Sequence, residues 1–171
     1  FVLMLKDGKV VAQGRPEDVV GDDTIRRLYD IEDANFDAVL GSLELCNTRP
    51  PDVFVSAGAG TGTKIYRLLS RMGLGIVTGI LHNNDVDHNV AKAMKLTVIE
   101  EKSFEPISAS NIRTAKSSLA VARFVVDAGA PIGTFNQENI QLLRESALEG
   151  KTIFSLRSLE DVRRLYEDAT C

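Results

Sequence analysis

The sequence is poor in cysteine, has no basic tract and contains no long apolar run. Its two cysteines, Cys46 and Cys171, lack metal-ligand spacing, which indicates a reducing compartment without a disulfide framework. Twenty Lys and Arg residues stand against 24 acidic ones, for a net charge of −4, so nucleic-acid binding has no electrostatic basis. No run approaches the roughly 20 apolar residues of a membrane-spanning helix. These absences predict a cytoplasmic protein that reaches the inner membrane only through a partner.

The first 20 residues carry the clearest local signals. Apolar runs flank Asp7-Gly8, a pair that favours the type I′ turn of a β-hairpin because both central residues need positive φ. Pro16 suits the first position of a short helix that extends to about residue 20. Asp22 is the candidate cap of a second helix.

The string FVLMLKDGKVVAQGRPEDV, followed by TIRRLY, resembles the end of the ATPase domain of ABC transporter ATP-binding subunits, especially those of the iron-siderophore, haem and cobalamin uptake group. The resemblance implies that residues 1–31 are the tail of such a domain, and that the parts binding ATP and magnesium precede Phe1. The lack of an initiator methionine favours the same interpretation. The alternative is an ordinary hairpin and helix of another α/β protein.

The phosphate-binding loop of that family, G-x-x-x-x-G-K-[ST], is missing from the chain. The nearest string is GAGTGTK, in which Thr63 separates the last glycine from Lys64. Ile65 then stands where a hydroxyl would bind magnesium. We therefore expect that this segment is not itself an ATPase.

The rest of the chain predicts a linker followed by a parallel α/β domain. Residues 31–37 are acidic and weakly patterned, and partial alternation over 38–46 predicts an edge strand antiparallel to the strand after it. From residue 52, apolar runs at 53–55, 76–81, 96–99, 123–126 and 152–154 alternate with helical periods. The fold class is therefore α/β: a Rossmann-like doubly wound parallel sheet of about five strands, preceded by a β-hairpin and helical tail. The expected domains are 1–31, 32–51 (linker and edge strand) and 52–171, with strand order open.

Helix periodicity also predicts which side chains of the first helix in this domain are buried. The helix is expected over 63–72, ending at Gly73. Its predicted buried face consists of Ile65, Leu68, Leu69 and Met72.

Ligands of doubly wound sheets bind beyond the carboxyl ends of the strands, which makes the loops there the candidate site. The first loop has backbone N–H groups and hydroxyls suited to a phosphate or carboxylate at a helix N-terminus. The dinucleotide pattern G-x-G-x-x-G is incomplete, because its third glycine is replaced and the later acidic residue is missing. This loop has two interpretations. It binds an anionic or nucleotide-like ligand, or it is a glycine turn needed only for packing. The candidate residues are Gly58, Gly60, Thr61, Gly62 and Thr63.

The second loop, within the string HNNDVDHNV, is dense in polar side chains. Asn83, Asn84 and Asp85 are candidate hydrogen-bonding partners of a ligand, and Asp85 is also the expected cap of the next helix. A metal site formed by His82, Asp85 and His88 is a weaker alternative, because their spacing is not a recognised ligand pattern. Plain loop chemistry remains open for the asparagines.

Two later loops complete the candidate site. Asp127 and Gly133 lie in the loop 127–136, which faces the glycine loop if strand order is Rossmann-like; a simple cap or turn is the alternative for Asp127. The loop 101–107, with Phe104 and Glu105, is expected to act as a flap.

A second resemblance covers most of this domain. The strings SAGAGTGTKIYRLLSRMGLGIVTGILHNNDVDHNVAKAMKLTVIEEKSFEPIS and AGAPIGTFNQENIQLL resemble the extra C-terminal domain of some ATP-binding subunits of the iron-complex and cobalamin group. This implies an accessory, regulatory or ligand-sensing role with no catalytic residue to assign. Its implied partners are the transporter membrane subunits, a second copy of the chain and a small-molecule effector, with the cofactor unknown.

Two other functions stay open from the sequence. One is a small Rossmann-like nucleotide-dependent enzyme that uses His82, Asp85 or Asp127 as acid or base. The other is a dimerisation module that pairs through the predicted edge strand near residues 39–45.

Overall fold

A computed structural model describes residues 1–30, 34–37 and 41–166. The chain divides into two compact units, Phe1–Cys46 and Asn47–Cys171. Within the described residues, no helix is long and apolar enough to cross a membrane.

The first unit opens with the predicted hairpin. Strands β1 (Val2–Lys6) and β2 (Lys9–Gly14) pair antiparallel. Asp7 and Gly8 between them have φ values of 49° and 73°, which confirms the type I′ turn inferred from the sequence. Helix α1 (Pro16–Val19) comes next with its proline in the first turn, and helix α2 (Asp22–Tyr29) succeeds it.

The end of this unit differs from the sequence interpretation in two places. Gly21, not Asp22, is the N-cap of α2, and the Asp22 carboxylate instead accepts a hydrogen bond from the backbone N–H of Phe36. Strands β3 (Ala34–Asp37) and β4 (Ser42–Leu45) pair antiparallel in a sheet of their own. The predicted edge strand thus pairs with the segment before it, for which the sequence indicates a linker. Residues 31–33 and 38–40 of those two predictions lie outside the described residues.

The second unit is the predicted Rossmann-like α/β domain. Its elements are β5 (Val53–Ser56), α3 (Thr63–Arg71), β6 (Ile76–His82), α4 (Val86–Ala93), β7 (Thr97–Glu101), α5 (Ala109–Val121), β8 (Phe124–Asp127), α6 (Gln137–Leu148), β9 (Ile153–Ser155) and α7 (Leu159–Tyr166). The five strands form one parallel sheet in the order β7-β6-β5-β8-β9. Because the chain moves from β5 outward to β7 and then returns to β8, strand order reverses between β5 and β8.

Two apolar clusters cover the two faces of this sheet. Val53 and Val55 of the central strand belong to the cluster that includes Leu69 and Val90, whereas Phe54 belongs to the cluster on the other face. All of these side chains are buried. A parallel strand buried on both faces reads as a continuous apolar run, which is why the short runs in the sequence located the strands well.

The predicted buried face of α3 is confirmed in part. Leu69 is buried and Ile65 is partly buried against the apolar cluster. Leu68 and Met72 are instead 53% and 64% exposed, and Tyr66 is buried. The Tyr66 hydroxyl lies 2.7 Å from Thr78 Oγ1, which donates onward to the Val55 carbonyl oxygen at 2.9 Å. These hydrogen bonds satisfy the polar end of Tyr66 inside the domain, and burial raises the pKa of its hydroxyl far above the ordinary value.

Candidate functional site

Loops from the carboxyl ends of β5, β6, β7 and β8 meet around one cavity of the second unit. The cavity has a volume of about 330 Å³. The glycine loop after β5 contributes Ala59, the flap after β7 contributes Phe104, and the loop after β8 contributes Phe135. The remaining lining residues come from the end of β6, the segment after it and the start of α4: His82, Asn84, Asp85 and Val86.

The glycine loop begins with a tight turn. Ala59 and Gly60 have φ values of 55° and 83°, and the Thr61 N–H donates to the Gly58 carbonyl oxygen at 3.2 Å. This is the geometry of a type I′ turn, in which glycine is favoured at the left-handed positions. The Thr61 hydroxyl donates to the same carbonyl oxygen at 2.9 Å, so its hydrogen is used within the loop.

A carboxylate of the chain itself occupies the N-terminus of α3. Asp87, which is completely buried, accepts hydrogen bonds from the Gly62 N–H, the Thr63 N–H and the Thr63 hydroxyl, each at 2.9 Å. Asp87 is not among the site residues inferred from the sequence. The sequence did contain a sign of this role: a second carboxylate follows a buried strand by a few residues, from where it can reach the neighbouring loop.

Asp85 has two roles that meet at the cavity. One of its carboxylate oxygens accepts from the Asp87 N–H at 2.8 Å, which confirms Asp85 as the N-cap of α4. Its other oxygen accepts from the Ala59 N–H, also at 2.8 Å. Three backbone N–H groups of the glycine loop and the start of α3 are therefore bound to Asp85 and Asp87.

Gly62 allows α3 to approach the sheet closely. A Cβ atom at this position would lie 2.6 Å from Ala57 Cβ and 2.6 Å from Tyr66 Cζ. No ordinary side-chain contact is that short, so Gly62 has a packing role irrespective of any ligand.

The polar side chains after β6 point to different partners. Asn84 is exposed at the cavity, and its amide forms no hydrogen bond with any described residue. Asn83 is exposed outside the cavity lining, and its backbone N–H donates to the Glu101 carbonyl oxygen at 3.0 Å. His82 Nε2 lies 2.8 Å from the Glu105 carbonyl oxygen, whereas His88 Nε2 lies 2.9 Å from a carboxylate oxygen of Glu100.

The side chains that could bind a metal ion do not lie together. In the described ranges, no group of three or more His, Cys, Asp or Glu side chains is placed to hold a metal ion. His82 and His88 face the separate partners given above, so the structure does not assemble the weaker alternative of a site shared with Asp85.

The flap is anchored by Glu101 at the end of β7. Its carboxylate accepts from the Ser108 N–H at 2.7 Å, the Asn111 Nδ2 at 2.9 Å and the Lys102 N–H at 3.1 Å. These hydrogen bonds, the Ser108 N–H first, lower the pKa of Glu101 to about 2. Between these anchors Phe104 adopts a φ of 63° and is 75% exposed.

Asp127 lies at the end of β8 but does not line the cavity. Its buried carboxylate accepts from Arg157 Nε at 2.7 Å, the Tyr166 hydroxyl at 2.9 Å, the Ser155 hydroxyl at 3.0 Å and the Gly129 N–H at 3.1 Å. It therefore joins β8 to β9 and α7.

The loop that Asp127 starts does run beside the glycine loop. A Cβ on Gly58 would lie 3.5 Å from Ala130 Cβ. Further along, the Gly133 N–H donates to Asn136 Oδ1 at 2.7 Å, so Gly133 shapes the segment that carries Phe135. Of the site residues inferred from the sequence, Asn84 and Asp85 line the cavity directly.

Residues 76–170, more than half of the chain, match the model of the MJ0874 family. The chain belongs to this family. The matched segment starts at β6 and includes every cavity-lining residue except Ala59 of the glycine loop.

Two proteins of Methanocaldococcus jannaschii are similar to this MJ0874-family chain. The uncharacterized protein MJ0874 is 35% identical over 80 residues, which cover 46% of the chain and 86% of that protein. The uncharacterized ABC transporter ATP-binding protein MJ0873 is 36% identical over 80 residues, which cover 46% of the chain and 28% of that protein. The chain therefore spans less than a third of MJ0873.

Proposed function

We propose that this chain is an accessory, regulatory ligand-binding domain of the ATP-binding subunit of an ABC importer for iron complexes or cobalamin. The observation that carries the proposal is the cavity that four loops form at the carboxyl ends of the sheet. The link to an ATP-binding subunit is supported by similarity to MJ0873, whose name describes such a protein, and by the resemblance of residues 1–31 to an ABC ATPase tail.

Regulation requires that the effector binds two states of the subunit with different affinity. In our proposal the effector occupies the cavity and changes how two ATPase subunits engage, so a homodimer and the membrane subunits are the partners. The cavity is suited to this role because it is lined from four separate loops, so that a ligand inside it would contact all four.

The alternative of a small nucleotide-dependent enzyme lacks comparable support. Both oxygens of Asp85 accept backbone N–H groups, His82 Nε2 faces a carbonyl oxygen, and Asp127 is paired with Arg157. These three candidates for general acid–base catalysis thus form hydrogen bonds that stabilise loops.

Calorimetric titration of the purified chain with nucleotides, corrinoids and haem tests ligand binding. We expect one of these classes to saturate a single site per chain. Val86→Trp, at a lining residue that is 47% exposed, should abolish that binding by filling the cavity. Val121→Trp is the matched control, because Val121 is 75% exposed on α5 and does not line the cavity. Absence of binding by every class would contradict the proposal.

The proposed parent protein is tested by the gene. The reading frame upstream of the Phe1 codon should encode a phosphate-binding loop and an ABC signature segment. A different upstream domain would refute attachment to an ATPase, whatever the titrations show.

A further inference from the structure

The cavity is poorly suited to a phosphate group. The described residues that line it include no Lys or Arg, and Asp85 is the charged member of the lining. At the adjacent N-terminus of α3, the Gly62 and Thr63 N–H groups already bind Asp87. A phosphate would have to displace a fully buried carboxylate or lie beside negative charge, and both arrangements are unfavourable.

The same cavity offers two aromatic surfaces on opposite loops. Phe104 of the flap is 75% exposed and Phe135 of the loop after β8 is 48% exposed, although both are large apolar side chains. Phe104 also has a positive φ, which is uncommon for a bulky residue and is found where the surrounding structure imposes it. Glu101 and the contact of His82 with the flap backbone provide that constraint.

The same lining contains an asparagine whose side-chain amide is available to a ligand. The Asn84 side chain is exposed, and neither its amide N–H₂ nor its carbonyl is used by a described residue. An asparagine amide presents a donor and an acceptor together, and it pairs with the matching acceptor and donor of adenine. The volume of about 330 Å³ lies at the small end of ligand pockets, which suits a single ring system with its sugar and not a dinucleotide.

We propose that the cavity binds an adenine-type ring, which stacks on Phe104 and Phe135 and pairs with the Asn84 amide, with no phosphate contact. This inference rests on the proposed function, for which it names the class of effector. A free nucleoside and a nucleotide both carry this ring. Because the cavity makes no contact with phosphate, the phosphates of a nucleotide should not increase its affinity.

The test is calorimetric titration of the full 171-residue chain with adenosine, ATP, ribose 5-phosphate, a corrinoid and haem. Adenosine is expected to bind at least as tightly as ATP, and ribose 5-phosphate is expected not to bind. Phe104→Ala should weaken adenosine binding about tenfold, as loss of one stacking surface does, and Phe104→Tyr should restore it. Phe1→Ala is the matched control, since Phe1 is 89% exposed and belongs to the other unit. Because Phe104 is itself exposed, circular dichroism should show both Phe104 variants folded.

Each other result contradicts a specific part of this inference. Binding of ribose 5-phosphate, or of ATP much more tightly than adenosine, would show phosphate recognition and overturn it. If Phe104→Ala binds adenosine as tightly as the parent chain does, Phe104 does not stack on the ring. If a corrinoid or haem binds and adenosine does not, the adenine inference fails while the regulatory function stands. If nothing binds, both fail.

Discussion

Asp87 shows how a single buried side chain connects two loops of the candidate site. It lies in α4 but accepts three hydrogen bonds from the start of α3, at Gly62 and Thr63. Asp85, two residues earlier, binds the Ala59 N–H of the same loop. The glycine loop is therefore held in place by the segment after the neighbouring strand.

Asp87→Asn should destabilise the chain by about 1–3 kcal/mol, because the amide nitrogen faces backbone N–H donors and leaves buried groups unpaired. Urea unfolding followed by circular dichroism measures the change. Glu149→Gln, at an exposed residue after α6, removes a carboxylate without a buried partner and should leave the midpoint unchanged. An unaltered midpoint for Asp87→Asn would show that the three hydrogen bonds contribute little.

The hydrogen-bond partners of individual residues could not be predicted from the sequence. Asp127 was correctly placed at the end of a strand, but its partners Arg157 and Tyr166 lie 30 and 39 positions later in the chain. Likewise, the Thr78 partner of Tyr66 lies on the next strand. Pairings between distant residues depend on strand order and helix rotation, neither of which a local pattern encodes.

Among the elements, the flap depends most directly on one charge. Glu101 binds the Lys102 N–H at its start and the Ser108 N–H at its end, and the pKa of Glu101 falls from 4.5 to about 2. A lowered pKa means that the carboxylate stabilises the folded state above pH 4.5, and that this contribution is lost as the pH falls towards about 2.

Glu101→Gln should therefore lower the free energy of unfolding at neutral pH and make its decline on acidification shallower between pH 4.5 and about 2. Denaturant titrations at several pH values measure both effects. Glu149→Gln is again the control and should reproduce the parent profile. A variant whose profile runs parallel to the parent over this interval would show that Glu101 is not the group responsible.

The positions of the strands could be predicted because burial alone determines their sequence pattern. The five parallel strands coincide with short apolar runs because helices cover both faces of the sheet. The predicted buried face of α3 was right at Leu69 but wrong at Leu68 and Met72, which are apolar but exposed. Tyr66 is buried instead, with its hydroxyl hydrogen-bonded to Thr78. The loops named from the sequence do border the cavity, since the positions of the strands also give the positions of their carboxyl ends. Ligand binding there stays a prediction.

On the scale of the whole molecule, the two units differ in how much core they contain. Among the described residues, both apolar clusters lie in Asn47–Cys171 and include Val55, Phe54 and Leu143. The described part of Phe1–Cys46 contributes Ala34 as its buried apolar residue. A unit of this size with so small a core is at the limit of independent stability.

Residues 47–171 expressed alone should therefore fold, with a cooperative thermal transition and the far-ultraviolet circular dichroism of an α/β protein. Residues 1–46 alone should show neither, because their buried apolar surface does not offset the loss of chain entropy. A cooperative transition in the short piece, or its absence in the long one, would contradict this division of stability.

The carboxylate of Asp87 has a consequence for competition at the start of α3. A charged group covalently attached to the same fold is present at an effective concentration that a free anion in solution does not reach. Asp87 is therefore an intramolecular competitor for any free anion at this helix end. With Asp87 replaced by a small neutral residue, the Gly62 and Thr63 N–H groups would lose this competitor, and we expect inorganic phosphate to bind there more readily.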